Sequence, residues 1–501
     1  ARVGRWVVLA AALLGDGCGC PGDDRSTTAP SGTKAERPAP PTAGASGERP
    51  RGDANATTLI TGGTVVDGTG ADPIPDAALV IEDGEITAVG RAAEVDVPED
   101  ARRVDAEGGW ILPGFVDTHV HFSQSGWLDG RPDAADVRDA HPYPEVVAEL
   151  QAHPERYFEA YLCAGVTSVF DVGGYPWTRD LRARGQGEPG AVRVAAAGPL
   201  LSTVDFWLNL PDQRQFVFME DETSVRETVR SHEALGSDAI KVWYIVRGDA
   251  SDAERARFRE LVQVAGEEAD RVGLPLIVHA TGLEQGKQAL RAGAEVLVHS
   301  VFDAPVDDAF LQLARERDVV YTPTLTVMEG YPNAYLGKSA ERMPYPARCV
   351  DDRTRALYAE GPPEDAVPAW ARGAGATLPQ DAPSRRRLQQ GIANLRRVHE
   401  AGVTVATGTD AGNPGTAHGA SYVREMELMA RAGMSPMQVL IASTRDAATA
   451  LGRAGELGTL EPGKLGDAVV LGADPLADIT HAADVRATVK GGHVVYEREH
   501  E

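Results

Sequence analysis

Leu276-Ile277-Val278-His279 is an apolar, branched run that closes on a histidine, and Val296-Leu297-Val298-His299 repeats the device after a helical stretch at 283–292. Strand, helix and strand in that order form the repeating unit of a parallel sheet. Working outward, similar runs stand at 166–172, 192–197, 239–245, 319–327 and 403–409, and an opening strand runs into Gly114-Phe115-Val116-Asp117. Helical stretches at 252–272, 306–316 and 384–401 lie between them. Eight strands alternating with helices across 113–452 predict a (β/α)8 TIM barrel. The main insertion, 330–382, falls between the seventh and eighth strands and is rich in Pro, Gly, Tyr and Arg. Loops at that position sit over the catalytic face, so a substrate lid is expected there.

The flanks read differently. Leu59-Ile60, Thr64-Val65-Val66 and Ala78-Leu79-Val80-Ile81 alternate with Gly62-Gly63, Asp67-Gly68 and Asp83-Gly84, a pattern that suits hairpins. Near the other end, Asp467-Ala468-Val469-Val470-Leu471 and Val489-Lys490-Gly491-Gly492-His493-Val494-Val495 look alike. Segments 57–112 and 453–498 are therefore read as halves of one small composite domain. The expected fold class is α/β, with the barrel at 113–452 inserted into a small split β-sandwich.

Arg2 and Arg5 precede an apolar run at 6–14. That run is too short to span a bilayer, which needs about 20 residues. A positive flank before a short apolar core is the pattern of an export signal. The small residues leading to Cys18 and Cys20 resemble a bacterial lipoprotein signal, whose cysteine becomes acylated. Residues 1–22 are read as this leader, and 23–56, mostly Pro, Gly, Ala, Ser and Thr, as a disordered linker. The expected location is outside the cytoplasm: periplasmic, anchored by lipid at Cys18 or Cys20, or secreted after simple cleavage. An oxidising compartment permits a bridge between the two remaining cysteines, Cys163 and Cys349. Cys163, however, lies in Tyr161-Leu162-Cys163-Ala164-Gly165-Val166, the apolar end of a helix, where a buried free thiol is expected.

Of the 501 residues, 49 are basic and 74 acidic, a net charge of −25. Such a surface repels phosphate backbones, so the expected partner is a small molecule and not a nucleic acid.

Chemistry-bearing residues collect at the carboxyl ends of the barrel strands, where active sites of this architecture occur. In Asp117-Thr118-His119-Val120-His121, the period of two puts both imidazoles on one face, where they can chelate a divalent metal. His279 and His299 close two further strands, and Asp410 ends Val405-Ala406-Thr407-Gly408-Thr409-Asp410. Lys241 stands inside Ala239-Ile240-Lys241-Val242-Trp243, an odd place for a lysine. Singly, each has an ordinary explanation: a hydrogen-bonded histidine, a snorkelling lysine, a capping aspartate. Their common position points to a metal centre.

These motifs resemble the amidohydrolase superfamily. Pro113-Gly114-Phe115-Val116-Asp117-Thr118-His119-Val120-His121 is similar to its first-strand signature, Gly408-Thr409-Asp410-Ala411-Gly412 to its eighth, and Pro462-Gly463-Lys464-Leu465-Gly466-Asp467-Ala468 to its return into the β domain. The branch most resembled is prolidase-like and imidazolonepropionase-related. The resemblance implies two divalent metal ions, with zinc as the default for a His-rich site. It implies that His119, His121 and Asp410 hold one ion, His279 and His299 the other, and an N-carboxylated Lys241 both. It also implies Asp410 as the catalytic proton carrier in cleavage of an amide bond, in dipeptides or N-acyl amino acids.

A cyclic amide or imidazolone is the alternative substrate. A non-catalytic binding lipoprotein is a further reading, which the complete ligand set disfavours. Tyr244, Arg247 and His418 are candidate substrate contacts, the first two for a carboxylate. Oligomeric state is not legible.

Overall fold

The computed structural model describes residues 57–498 apart from 206, 207 and 374. The leader, the linker and the candidate anchoring cysteines Cys18 and Cys20 lie outside the described residues. Among the described residues, no helix is long and apolar enough to cross a membrane.

The chain opens with β1 (Thr58–Val65), β2 (Ile74–Glu82), β3 (Glu85–Arg91), β4 (Arg102–Asp105) and β5 (Trp110–Pro113). Asp83 and Gly84 both take positive φ, 51° and 84°, as the tight β2–β3 hairpin requires. After a long excursion the chain returns as β16 (Ala468–Leu471), β17 (Val485–Lys490) and β18 (His493–Glu497). These strands form one mixed sheet in the order β18-β17-β16-β5-β1-β2-β3, with β4 against β1. Ile60, Leu79, Ile111, Val470 and Val489 share its core, so both ends of the described chain fold together.

Between them run ten parallel strands: β6 (Phe115–Val120), β7 (Val166–Asp171), β8 (Arg193–Ala196), β9 (Leu200–Ser202), β10 (Phe216–Phe218), β11 (Ile240–Trp243), β12 (Leu276–His279), β13 (Val296–Val298), β14 (Val320–Thr322) and β15 (Thr404–Val405). They pair as two parallel sheets, β6-β7-β8 and β10-β9-β11-β12-β13-β14-β15. Backbone bonds link the sheets on both sides. Thr118 N donates to Thr407 O (3.0 Å) and Asp410 N to His119 O (2.8 Å); across the other seam Asp238 N donates to Ala196 O (2.9 Å). One apolar cluster draws Val116, Phe170, Ala195, Ala239, Ile277, Val296, Val320 and Ala406 from successive strands and their continuations. The fold is thus mixed α/β with its parallel strands gathered on a shared core.

Helices cover the strands as their sequences dictate. Asp252–Val272 starts with a capping box between Ser251 and Glu254 and stops at left-handed Gly273 (φ 74°). The expected strand at 319–327 is shorter, ending at Thr322, because Val327 already opens the helix Val327–Tyr335. The insertion is not one long loop: it carries the helix Asp352–Glu360 and several short turns.

One expectation is corrected here. Cys163 and Cys349 form a disulfide, not free thiols, with Cα atoms 5.5 Å apart. The helix Glu155–Cys163 delivers Cys163 against the turn Ala347–Cys349 of the insertion, a proximity that local sequence around Cys163 does not encode.

Candidate metal centre

Six residues contributed by five strands and the segments that follow them line one cavity of about 40 Å³: His119, His121, Lys241, His279, His299 and Asp410. His119 lies within β6 and His121 directly after it. His279 is the last residue of β12, and Lys241 is buried in β11. His299 directly follows β13 and Asp410 lies five residues past β15, both with left-handed backbones, φ 74° and 60°. Each such residue costs roughly 1–3 kcal/mol, which the surrounding ladder must impose. The turn carries each side chain out of the strand and into the cavity.

The carboxylate is the hub. Asp410 Oδ1 lies 3.1 Å from both His119 Nε2 and His121 Nε2, and Oδ2 lies 3.9 Å from His299 Nδ1. Ligand atoms of His119, His299 and Asp410 all fall within 4.8 Å of one another. The His279 and His299 rings stand 4.2 Å apart.

A second layer holds this hub. His121 Nδ1 donates to the Gly173 carbonyl (2.7 Å), which turns Nε2 toward Asp410. Asp117 accepts from Thr409 N (3.0 Å), Thr409 Oγ1 (2.6 Å) and His119 N (3.2 Å), tying β6 to the segment that carries Asp410. Burial pushes the Asp117 carboxyl up to about 7. His299 Nδ1 lies 2.6 Å from Thr324 Oγ1. On the opposite side, Trp243 Nε1 donates to His279 Nδ1 (3.0 Å).

Burial and then Lys241 push the His119 ring down to about 3 and hold His279 well below its ordinary value. Burial and His279 do the same to His299. Burial alone would raise Asp410, yet the imidazoles against it hold its carboxyl well below the usual range. Burial pushes the Lys241 amine down to about 7.

The donor set fits a divalent metal. His119 Nδ1, His279 Nε2 and Lys241 Nζ are buried without a hydrogen-bond partner. Asp410 Oδ1 stands 3.1 Å from both His119 Nε2 and His121 Nε2, so three donor atoms of one site gather at hydrogen-bond range. Neutral imidazoles with one carboxylate are the ligand types of zinc-like ions.

The three residues offered as substrate contacts are not brought to this cavity. Arg247 is exposed and pairs with Asp249 (3.1 Å) on an outer loop. Tyr244 is buried outside the cavity lining. His418 lies behind the ligands: its Nε2 donates to the His121 carbonyl (3.2 Å) and its ring stacks on Tyr157 at 3.8 Å. Instead Gln124, Arg131, Phe216, Trp243, Met328 and Asn413 complete the wall. Arg131 is buried, bound through Nε (2.8 Å) and Nη2 (2.7 Å) to Asp133 and through Nη1 to Asn413. Nothing in Gly130-Arg131-Pro132-Asp133 separates it from a surface turn.

A family model described as the Amidohydrolase family matches residues 110–495. The imidazolonepropionase of Porphyromonas gingivalis is 26% identical over 444 residues, covering 84% of this chain and 89% of the relative. That of Haloarcula marismortui is 25% identical over 475 residues, covering 88% and 95%. Among solved structures, a Xaa-Pro dipeptidase with bound methionine in the active site superposes with a TM-score of 0.66 at 23% identity, over 88% of this chain and 100% of that one. At that identity the likeness concerns the fold.

Proposed function

The chain belongs to the amidohydrolase family, whose members hydrolyse carbon–nitrogen bonds and generally bind divalent metals, and on that premise we propose that it cleaves an amide of a small molecule at a centre of two metal ions. His119, His121 and Asp410 would hold one ion and His279 and His299 the other. Lys241 would serve both as a carbamate: the neutral amine adds to carbon dioxide, an N–C bond forms, and one proton leaves. The observation that carries this reading is Lys241 itself. Its Nζ is buried in the imidazole-lined cavity without a partner. Burial disfavours a cation there despite the attraction of Asp410 and Asp171, whereas a bidentate anion would complete the donor set.

Bound ions supply a water of lowered pKa and polarise the substrate carbonyl. Asp410, ionised at the hub, accepts the proton of the attacking water and delivers it to the departing nitrogen. Asp117 keeps Asp410 in register through Thr409. Zinc is the expected ion.

The catalytic body is read as one closed (β/α)8 barrel within the composite sheet domain. The hydrogen bonds at both seams between the parallel sheets, and the apolar cluster drawn from β6, β7, β8, β12, β13, β14 and the segments beside β11 and β15, support closure. The Cys163–Cys349 bridge supports an exported, oxidising location.

Linear amides, as dipeptides or N-acyl amino acids, are one substrate class. Cyclic amides of the imidazolone kind are at least as well supported, because the imidazolonepropionase relatives align over 84–88% of the chain. The test is a panel of dipeptides, N-acyl amino acids, imidazolones and other cyclic amides, assayed with metal-loaded and metal-stripped protein. Metal-dependent cleavage of any of them supports the proposal, and the class cleaved selects the reading. No metal-dependent cleavage of either class would overturn it.

A further inference from the structure

A second cavity, of about 560 Å³, opens between the helices Val327–Tyr335, Pro383–Glu400 and Tyr422–Arg431 under the segment 342–345. Its size is that of a small-molecule site. Part of its wall is apolar, with Met328, Met343, Leu388, Ile392 and Val423. The rest is polar, with four arginines among it. Its two acids, Glu329 and Glu427, are both engaged by Arg424, Glu329 through two bonds of 2.8 Å. Arg342 donates to the neutral Asn333 (2.9 Å), and Arg342, Arg385 and Arg431, all exposed at the rim, show no ion pair among the described residues. In a chain of net charge −25, a cavity wall of four arginines against two glutamates runs against the bulk of the surface.

We propose that this cavity binds a free amphipathic monocarboxylate, its chain on the methionine, leucine and isoleucine wall and its carboxylate at Arg385 and Arg431. Charge complementarity selects the anion, since an apolar chain alone would leave the guanidiniums facing nothing of opposite sign. Met328 also lines the metal cavity, so one side chain separates the two sites. The new site nevertheless owes nothing to the metal ligands.

Calorimetric titration of sodium octanoate into the metal-stripped full chain, disulfide intact, tests this independently of any hydrolysis. The expected result is one saturable site per chain, weakened by added salt. Octan-1-ol, lacking the carboxylate, and acetate, lacking the chain, should each bind at least about tenfold more weakly, a difference of about 1.4 kcal/mol. Arg385→Ala/Arg431→Ala should lose at least about tenfold in octanoate affinity with an unchanged melting temperature. No saturable octanoate binding, or equal binding of octanol, would overturn the proposal. That comparison uses the unaltered protein and stands even if the double variant folds poorly. Binding only to phosphatidylcholine vesicles doped with oleate, and not to free octanoate, would equally overturn it.

Discussion

On the side of β6 and Asp410, the candidate ligands are gripped by neighbours; on the side of β11 and β12, two ligand atoms face nothing. His121 is oriented by the Gly173 carbonyl, and Asp117 fastens the backbones of His119 and Thr409. Behind them Glu425 accepts from Leu325 N and Thr326 N (2.8 Å each), while Thr326 Oγ1 donates to the Thr409 carbonyl (3.0 Å). Across the cavity Lys241 Nζ and His279 Nε2 have no partner, and the other nitrogen of His279 is engaged by Trp243. Apart from His119 Nδ1, which also has no partner, one half is thus organised before any ion arrives. On the proposed reading the other would change, by capture of carbon dioxide at Lys241 and by release of the His279 ring. The first half should therefore load first and more tightly.

The harshest way to break this contrast is to remove its hub. Asp410→Asn keeps the shape but loses both the charge and the proton carrier. Turnover of the best amide substrate should fall about 10³-fold or more, with metal content falling alongside, as measured by steady-state kinetics and elemental analysis. A variant within tenfold of the unaltered protein would show that Asp410 is not the hub.

Lys241→Ala strikes only the unorganised half. Two ions per chain should become one, held by His119, His121 and Asp410, with activity down roughly 10²-fold. Elemental analysis returning two ions, or none, would erase the difference between the halves.

The same contrast explains what the sequence reveals and what it hides. His119, His121, Lys241, His279, His299 and Asp410 are legible because a parallel strand fixes which end and which face a residue occupies. All six meet at one cavity. The cavity wall supplied by loops is not legible. Arg131 and Arg247 both follow barrel strands beside an acidic residue two positions on, yet one is buried at the site and the other exposed. The difference lies in Asn413, far away in sequence, which receives Arg131. The Cys163–Cys349 bridge was hidden for the same reason, since it joins segments 186 residues apart. In the chain-entropy picture that closure contributes roughly 5 kcal/mol, although measured values are often smaller. The third strand shows a milder failure. Its expected stretch stops at 197, but after left-handed Gly198 (φ 74°) and Pro199 the chain resumes as β9 and pairs with β11.

Glu425→Gln tests whether the organised half is braced from behind. The amide would turn an N–H group toward one of the two backbone donors, costing about 1–3 kcal/mol. Burial also raises the Glu425 carboxyl to about 8 from its ordinary 4.5, against the bonds from Leu325 and Thr326. The folded protein therefore holds a proton that the unfolded chain releases between those values. That contribution to stability is fully present below about 4.5 and is lost as pH rises through about 8. The advantage of the unaltered protein over the variant, read from melting temperatures, should accordingly narrow between pH 5 and pH 8. A gap that stays constant over that range would mean that Glu425 is ionised in the fold.

The smallest effect concerns the other half and has the opposite sign. Because the Trp243 indole N–H points at His279 Nδ1, the neutral ring carries its proton on Nε2, the nitrogen left facing the cavity. A protonated nitrogen cannot ligate, so loading this half requires the ring to leave Trp243. Trp243→Phe keeps an aromatic body against His279 but removes the donor, and a net hydrogen bond of this kind is worth about 1 kcal/mol. Affinity for the second ion should then rise about fivefold in a metal titration, with the first ion unaffected. In the unaltered protein the second equivalent of metal, and not the first, should change tryptophan fluorescence. If the phenylalanine variant binds the second ion more weakly, Trp243 is a support that orients His279 for the metal, and the two halves of the centre are more alike than their hydrogen bonds suggest.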